Sequence, residues 1–341
     1  MRQSPPYAIN DRYGETMLIT DYIADPKGII AEYAVQCGVK HAVIRLPDDG
    51  LFDFASLEHW KALYDDYSAA GLKPVAVEPL PNSLHNEIKE GGPGRDRAIE
   101  TLIKMFAVMD ELDIRVLCFN FMAYIGWTRT TAAFTERGGA RVTGFKLSDF
   151  TPPGDFAISE DRLWENYFYF IKAVLPAAER HNIKLALHPD DPPLPKLGNV
   201  SRIMISFDNI NRAVSGIESP NLGVTMCQAC YRIMGEDLPR VIRHFAERRK
   251  IFFVHFRDVA GDKYDFHETF HDNGMTDMAA AMRLYHDCGV GREVPIRVDH
   301  VPAMAGEEIG NPGYDAIGRL YAIGYLRGLL EAVYGGGSGT L

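Results

Sequence analysis

The chain has 341 residues, of which 46% are apolar and 24% are charged, and these proportions are typical of a globular protein with a large core. The formal net charge of -10, spread without a basic block, argues against nucleic acid or an anionic membrane surface as the main partner. Five cysteines, without a secretory leader or a long apolar run, favour a reducing compartment. We therefore expect a cytoplasmic protein.

Eight short apolar runs recur along the chain, each followed by turn residues and then by a longer stretch with helical spacing. The runs cover residues 17–22, 41–46, 74–78, 116–121, 184–188, 223–227, 252–257 and 294–299. Because they are almost continuously apolar, they predict parallel strands that are buried on both faces. Apolar residues return every three or four positions over 57–70, 96–112, 159–181 and 238–249, which predicts helices there, with Gly71 ending the first.

This alternation predicts an α/β fold, and a (β/α)8 TIM barrel is favoured over an open doubly wound sheet. A dinucleotide fold would need a G-x-G-x-x-G motif after its first strand, and no predicted strand end supplies one. We expect one barrel domain over residues 1–334 and a flexible glycine-rich tail over 335–341, of the kind that expression vectors leave. The longest insertions, 81–94 and 128–156, follow strands three and four, so inserted loops should rise over the C-terminal face as lids or subunit contacts.

Four metal-competent side chains fall at the ends of four successive predicted strands. His188 closes the fifth strand, Cys227 the sixth, His255 the seventh and Asp299 the eighth. The carboxyl ends of barrel strands surround one face, so these residues should meet although they are distant in the sequence. Two imidazoles, a thiolate and a carboxylate can bind zinc, iron(II), cobalt or manganese, with positions open for substrate oxygens. The sequence therefore predicts one divalent metal site at the barrel mouth.

Each of these residues also has a structural interpretation, since a single buried histidine or cysteine on a strand is more often part of the core. Four of them at equivalent positions favour a metal instead. Cys227 and Cys230 have a C-x-x-C spacing, but a structural zinc site usually needs a second such pair, and the sequence has none. We therefore interpret Cys230 as a structural residue.

Groups suited to proton transfer, among them Tyr314, follow or flank the predicted cluster. His300 comes directly after Asp299, and adjacent strand residues point in opposite directions, so His300 must leave the strand to join the site. His267 and His271 are four residues apart and would share one face of a helix. Capping or surface contacts explain these two histidines as well as catalysis does.

Three further charged residues have both a catalytic and a plainer interpretation. Glu268 could act as a base, but it would more often be a solvated helix residue. Arg257 and Arg297 could clamp a substrate carboxylate, whereas ion pairs with Asp258 or Glu293 are the simpler alternative.

An extended set of segments resembles the mannonate dehydratases of hexuronate breakdown, which belong to the xylose-isomerase-like barrels. The segments are Leu187-His188-Pro189-Asp190-Asp191-Pro192-Pro193, Thr225-Met226-Cys227, Val254-His255-Phe256-Arg257, Phe266-His267-Glu268 with His271 and Asn273-Gly274, Arg297-Val298-Asp299-His300, residues 311–319, and upstream Cys118-Phe119-Asn120-Phe121-Met122 and Trp127-Thr128-Arg129-Thr130. The resemblance covers roughly residues 75–330.

The resemblance implies a hydro-lyase that removes water from D-mannonate to give 2-keto-3-deoxy-D-gluconate. A metal, Mn2+ or Fe2+, would be held by the residues that match His188, Cys227, His255 and Asp299, so the implied ligands coincide with the four strand-end residues. Metal bound to the carboxylate and hydroxyl oxygens would stabilise the enediolate that forms when the poorly acidic α proton leaves.

The resemblance also implies roles in proton transfer and substrate binding. Residues that match His300 and Tyr314 would form a pair in which one removes the proton α to the carboxylate and the other assists departure of the C3 hydroxyl. The resemblance leaves open which does which. The candidate substrate-binding residues are Arg257, Asn120, His267 and Asp190.

The chain departs from the family pattern at three places that we expect to border the pocket. Val301-Pro302 follows His300 where the family usually has glycine and a histidine, and Ala123-Tyr124 stands where the family prefers proline and valine. The first strand reads Thr20-Asp21-Tyr22-Ile23 in place of an aromatic-rich motif. A different sugar acid is therefore an alternative substrate.

Two other functions compete with dehydration on the same barrel. A metal-dependent isomerase or epimerase would use an enediolate without losing a leaving group, and a catalytically silent sensor would keep the barrel without chemistry. Homo-oligomers are common among such barrels, so self-association is a further expectation.

Overall fold

The computed structural model describes residues 16–335. The strands of this part are β1 Leu18–Ile23, β2 His41–Ile44, β3 Lys73–Val77, β4 Val116–Phe119, β5 Thr131–Thr135, β6 Arg141–Lys146, β7 Ala157–Ile158, β8 Lys184–Leu187, β9 Lys196–Leu197, β10 Asn199–Ser201, β11 Leu222–Cys227, β12 Ile251–Phe256, β13 Val259–Asp262, β14 Asp265–Glu268 and β15 Pro295–Val298. The α-helices are α1 Ile29–Gln36, α2 Leu57–Ala69, α3 Asn82–Glu90, α4 Arg95–Glu111, α5 Glu160–Arg180, α6 Phe207–Ser215, α7 Gln228–Met234, α8 Leu238–Glu247, α9 Met278–Asp287 and α10 Ala316–Tyr334.

Eight of these strands close a barrel in the order β1-β15-β12-β11-β8-β4-β3-β2, and each neighbouring pair is parallel. Each strand lies on one of the eight apolar runs, so the predicted TIM barrel is confirmed. The helices predicted from apolar spacing correspond to α2, α4, α5 and α8. Gly71 follows the end of α2 with a φ of 84°, a backbone conformation that favours glycine.

Side-chain caps explain where five of the helices begin. The side chains of Ser56, Ser159 and Ser206 each accept a hydrogen bond from the backbone N–H three residues further on. Asp237 and Asp277 do the same at the starts of α8 and α9. Each cap satisfies one of the N–H groups that the first helical turn leaves without a partner.

Two apolar clusters hold the barrel together. The larger one lies between the strands and the surrounding helices. The smaller one draws on five barrel strands, and its members are Val43, Ala76, Val116, Cys118, Ala186, Phe252 and Phe253. Cys118 also lines the cavity described below, so the smaller cluster forms part of the floor of that cavity.

The insertions after β3 and β4 form regular structure, where the sequence had predicted loops. The first contains α3, and the second contains β5 and β6. β5 and β6 join β13 and β14 in an antiparallel sheet of order β13-β14-β6-β5. Because β13 follows the carboxyl end of β12 at once, this sheet lies at the C-terminal face of the barrel. The predicted position of the insertions is therefore right, although their conformation is not.

The helix expected around His267 and His271 is wrong. His267 lies on β14, and Phe266 and Glu268 on either side of it are 2% and 1% exposed. This alternation has the period of a strand, and it was obscured because one of the buried residues, Glu268, is charged.

None of the helices in the described part of the chain is long and apolar enough to cross a membrane. All five cysteines are free, in line with the expectation that they form no disulfide framework. The predicted tail lies outside the described residues except for Gly335, and the single domain over 1–334 stays a prediction.

Candidate active site

The barrel register brings the four strand-end residues together. Cys227 is the direct partner of His255 across β11 and β12, while His188 and Asp299 directly follow β8 and β15. Ligand-type atoms of Cys227, His255 and Asp299 all lie within 4.8 Å of one another. His188 joins them, since its Nε2 atom lies 3.2 Å from Nδ1 of His255. Two nitrogens, a sulfur and a carboxylate oxygen thus face one small volume, as a borderline divalent ion requires.

Neighbouring groups determine which ring nitrogen of each histidine faces the cluster. Nδ1 of His188 lies 2.6 Å from the carbonyl oxygen of Pro189, which can only accept a hydrogen bond. Nδ1 therefore carries the proton, and Nε2 keeps its lone pair available to a metal in the cluster. Nε2 of His255 lies 3.1 Å from Glu78 Oε1, so that ring presents Nδ1 instead. A carboxylate behind a histidine is a common arrangement at metal sites, because it fixes the orientation of the ring.

Charge in the cluster favours ligands in the form that a metal needs. Burial alone would raise the pKa of the Cys227 thiol, but the hydrogen bond with Cys230 and the charge of Arg257 hold that pKa well below its usual range. Burial acts to raise the pKa of Asp299 as well, but Arg297, together with the neighbouring histidines, holds this pKa well below its usual range and keeps the carboxyl ionised. Thiolate and carboxylate are the metal-binding forms of these side chains.

His255 differs from the other residues of the cluster. Burial and Arg297 act to lower its pKa, whereas Glu78 and Asp299 raise the pKa of His255 well above its usual range. A metal must therefore compete with a proton for this ring.

Cys230 also lies close to the cluster, within 4.8 Å of ligand atoms of His188 and Cys227. Its sulfur is 3.3 Å from Nη2 of Arg257, which donates a hydrogen bond to it. Burial raises the pKa of Cys230 well above its usual range, so this thiol stays protonated. The structure thus separates the two cysteines chemically, with Cys227 as the thiolate and Cys230 as a neutral neighbour.

Glu78 and Arg297 form a buried pair at the floor of the site. The guanidinium of Arg297 contacts both oxygens of Glu78, at 2.9 Å and 3.2 Å, and also lies 2.6 Å from Asp299 Oδ1. Burial raises the pKa of Glu78, but Arg297 and His255 lower it to about 2. Arg297 therefore pairs with these two carboxylates, and the pairing with Glu293 considered from the sequence is wrong.

A cavity of about 360 Å³ opens directly above the cluster. Its lining includes His300 and Tyr314, whose rings meet edge to face with centroids 5.3 Å apart. β15 ends at Val298, so His300 has left the strand, as its participation in the site requires. Trp127, from the insertion after β4, packs on His300 with ring centroids 5.1 Å apart and closes one side of the cavity.

A buried ion-pair network lies beneath His300. Arg257 is fully buried and contacts Asp191 at 2.7 Å and Glu268 at 2.8 Å. Glu268 Oε1 lies 2.9 Å from Nδ1 of His300, which also contacts Arg257. Arg129 reaches in from the insertion and binds both oxygens of Asp191, at 2.7 Å and 2.9 Å, and Glu268 at 2.6 Å. With Nδ1 of His300 engaged in this network, Nε2 is the nitrogen left for the cavity.

This network corrects two interpretations of the sequence. Glu268 is buried and ion-paired, so the solvated helix residue considered for it is wrong. Arg257 pairs with Asp191 and Glu268, and the simpler pairing with Asp258 is wrong as well.

Of the four predicted substrate-binding residues, one lines the cavity and three lie outside its lining. Asn120 lines the cavity. Arg257 lies behind His300 and outside the lining. Asp190 is also outside it, and its Oδ2 accepts hydrogen bonds from two backbone N–H groups, of Ile203 and Met204. His267 stacks on Phe134 in the added sheet, with ring centroids 3.9 Å apart, and is not part of the lining either.

Sequence reasoning missed two charged residues of the cavity. Glu78 closes the third apolar run just as the four ligand candidates close theirs, so its position was a usable signal. Lys89 gave no such signal, because it lies in a polar helical segment between Glu87 and Glu90 and resembles a solvated residue. In the structure it is 3% exposed and lines the cavity.

The departures from the family pattern mostly lie away from the lining. Tyr22 of the first strand lines the cavity and packs on Tyr314, with ring centroids 5.4 Å apart. Val301 is buried and its N–H donates to the carbonyl of Gly313, outside the lining. Tyr124 stacks on Phe156, away from the cavity. Of the three altered segments, the first strand is the one that reaches the site.

Comparisons with known proteins agree with this geometry. A family model described as D-mannonate dehydratase matches residues 19–152 and 155–336. The mannonate dehydratase of Brachyspira hyodysenteriae is 32% identical over an alignment 334 residues long, and the match covers 87% of this chain and 92% of that protein.

Two solved structures share the fold. The crystal structure of mannonate dehydratase from Streptococcus suis serotype 2 superimposes with a TM-score of 0.85 at 28% identity, over 96% of this chain and 99% of that one. A xylose isomerase domain protein from Planctomyces limnophilus shares the barrel alone, with a TM-score of 0.61 at 13% identity over 94% and 99% of the two chains. Since the family model matches nearly the whole described length and the relative exceeds 30% identity across most of both chains, this chain belongs to the D-mannonate dehydratase family.

Proposed function

We propose that this chain is a metal-dependent dehydratase that converts D-mannonate into 2-keto-3-deoxy-D-gluconate and water. The observation that carries the proposal is the meeting of His188, Cys227, His255 and Asp299 beneath the cavity that also holds His300 and Tyr314. The names of the matched relatives, which are mannonate dehydratases, supply the reaction.

The metal in this proposal is Mn2+ or Fe2+, held by His188, Cys227, His255 and Asp299. The residues fit such an ion because they offer mixed nitrogen, sulfur and oxygen donors, and because the carboxyl and the Cys227 thiol are held in their ionised forms. A bound divalent ion would supply positive charge near the carboxylate and hydroxyl oxygens of the substrate, where negative charge develops during proton abstraction.

His300 is proposed as the base that removes the proton α to the carboxylate. The carboxylate of Glu268 engages Nδ1 of the ring, which leaves Nε2 to accept a proton from the cavity side. When the α C–H bond breaks, the proton moves to Nε2 and its electron pair forms the enediolate. Arg257, Asp191 and Arg129 act in this account as positioning residues that hold Glu268 and therefore the ring.

Tyr314 is proposed as the acid that assists loss of the C3 hydroxyl. Burial raises the pKa of Tyr314 above its usual range, so the phenol keeps its proton at neutral pH and can donate it. As the C3–O bond breaks, that oxygen takes the proton and leaves as water. The resulting enol then tautomerises to the 2-keto-3-deoxy acid, and the proton taken up by His300 is returned to the Tyr314 phenolate, so atoms and charge balance.

Substrate recognition in this proposal involves the lining of the cavity. Asn120 is proposed as a direct contact to the sugar acid because it faces the same space as His300. Arg257, Asp190 and His267 lie outside that lining, so any effect that they have on substrate is proposed to be indirect. Among the segments that depart from the family pattern, only the first strand places a residue, Tyr22, in the lining. The rest of the lining is free of these departures, which supports a pocket close to that of the family.

The test is the reaction itself. Protein loaded with Mn2+ should release a 2-keto-3-deoxy acid from D-mannonate, detected by periodate and thiobarbiturate and confirmed by a product mass lower by one water. Protein stripped of metal with a chelator, then reloaded, is the control. A product of unchanged mass would indicate an isomerase or epimerase, and inactivity across a panel of aldonic and uronic acids would refute the proposal.

A further inference from the structure

Lys89 lies in the last turn of α3, and its side chain enters the cavity from the side of the insertion after β3. It is 3% exposed. Within residues 16–335, its ammonium makes no hydrogen bond and no ion pair with another side chain. The proposed mechanism above does not use it. Lys89 is therefore a cation that is almost wholly shielded from the outer surface, lines the reaction space and is left without a side-chain partner.

The backbone around Lys89 is fixed, so its direction into the cavity is part of the fold. The side chain of Asn166 on α5 donates a hydrogen bond of 2.9 Å to the Lys89 carbonyl. Two residues later Gly91 ends α3 with a φ of 68°. A Cβ at Gly91 would lie only 2.6 Å from Oδ1 of Asn166, so glycine lets the two helices approach closely enough for this bond.

The charge of Lys89 is not balanced by the carboxylates nearby. Burial lowers the pKa of Lys89 to about 8, while Glu90 and Asp190 act in the opposite direction from beyond ion-pair distance. Oδ2 of Asp190 accepts hydrogen bonds from two backbone N–H groups, whereas its Oδ1 has no hydrogen-bond partner in the described part of the chain.

The carboxylates that line the cavity are also committed, each to an arginine. Glu78 and Asp299 contact Arg297, and Asp191 contacts Arg129 and Arg257. An anionic oxygen brought in by the substrate would be the natural partner for the remaining cation.

We propose that the ammonium of Lys89 binds the carboxylate of the sugar acid in this cavity. The inference rests on the proposed function, in which the substrate is an aldonic acid. Negative charge grows on the carboxylate oxygens when the α proton leaves, so a cation at Lys89 would bind the transition state more tightly than the ground state. Lys89 is then a substrate-binding residue that recognises the acid group, whatever the configuration of the sugar carbons.

The experiment compares an acid with its neutral amide. The ligand pair is a 3-deoxyhexonate, which has no C3 hydroxyl to lose, and its carboxamide, titrated calorimetrically into Mn2+-loaded protein. Lys89→Met should weaken binding of the acid about 10- to 100-fold, as expected for loss of a buried charge contact, and should change binding of the amide less than about 3-fold. Lys89→Gln, which keeps a polar side chain without the charge, should lose the same preference.

Lys184→Met is the matched control. Burial lowers the pKa of Lys184 as it does that of Lys89. Lys184 differs in lying at the start of β8, where its ammonium donates a hydrogen bond to the carbonyl of Pro220. This variant should bind both ligands as the wild type does.

Several outcomes would overturn the proposal. Equal losses for acid and amide in the Lys89 variants would do so, as would unchanged binding of both ligands. Loss of bound metal in both Lys89 variants would also contradict it, because Lys89 would then be a structural part of the metal site. Failure of the wild type to dehydrate D-mannonate would instead refute the proposed function, and the acid and amide comparison would still decide the role of Lys89.

Discussion

At the scale of single residues, the site depends on which nitrogen of each histidine is free. The Pro189 carbonyl accepts a hydrogen bond from Nδ1–H of His188, and Glu78 faces Nε2 of His255, so the two rings turn complementary atoms toward one another. Their facing nitrogens lie 3.2 Å apart, so both rings would be available to hold the same ion. Backbone and carboxylate groups behind the ligands therefore do as much as the ligands to shape the site.

The catalytic pair gives the first prediction at this scale. His300→Asn and Tyr314→Phe should each lower kcat by roughly 10²- to 10⁴-fold, the usual contribution of a positioned acid or base. Neither residue belongs to the ligand set, so bound manganese, measured by elemental analysis, should stay at the wild-type level. Full activity in either variant would remove that residue from the mechanism, and loss of metal would move it into the ligand set.

The pH dependence of metal binding follows from His255. Because Glu78 and Asp299 raise the pKa of this histidine in the metal-free protein, binding must release a proton at neutral pH. The apparent affinity for Mn2+ should therefore rise with pH, by about tenfold per unit for one proton released, and level off above the pKa of His255. Competition against a fluorescent chelator from pH 6 to 8, with the chelator's own titration subtracted, measures this slope. A flat profile would contradict the account.

Sequence reasoning succeeded for residues whose position alone carries information. His188, Cys227, His255 and Asp299 were found because each closes a strand, and barrel topology converts that position into proximity. Lys89 could not be found in this way. Its burial depends on how α3 packs over the mouth of the barrel, and the sequence of α3 does not encode that contact locally.

At the scale of elements, the insertion after β4 ties the added sheet to the catalytic histidine. Arg129 belongs to this insertion, yet its guanidinium lies among Asp191 and Glu268 in the network under His300. A helix was expected around His267 because His267 and His271 are four residues apart, as on one face of a helix. The strand forms instead because Glu268 can be buried once arginines neutralise it, which no local pattern reveals.

Two arginines of this insertion provide a matched pair of variants. Arg129 and Arg137 each bind both oxygens of an aspartate, but the Arg129 side chain is 4% exposed and that of Arg137 is 43% exposed. Arg129→Met should reduce the free energy of unfolding by about 3–5 kcal/mol, because it removes one partner of a buried ion-pair network. Arg137→Met should cost at most about 1 kcal/mol, as for exposed pairs.

Urea unfolding of the metal-free proteins measures both values. Similar costs for the two variants would show that burial of the network does not determine its contribution.

At the scale of the whole molecule, the barrel was predictable because eight apolar runs of strand length recur with helical segments between them. Parallel strands that are buried on both faces appear in the sequence as nearly continuous apolar runs. Eight such runs that alternate with helical segments favour a closed barrel. The added sheet was not predictable in the same way. β5 is largely exposed, so its apolar content is weak, and β6, with which it pairs, joins the rest of the sheet through β14, more than 100 residues further along the chain.

The central claim is that one ion is held by His188, Cys227, His255 and Asp299, and metal analysis tests it most directly. Protein purified after manganese loading should contain a stoichiometric ion, while His188→Ala and Asp299→Ala should each lose most of it. Cys288→Ala is the control and should keep the ion, because that free thiol lies at the end of α9, outside the lining of the cavity. Unchanged metal content in both the His188 and Asp299 variants would contradict the account.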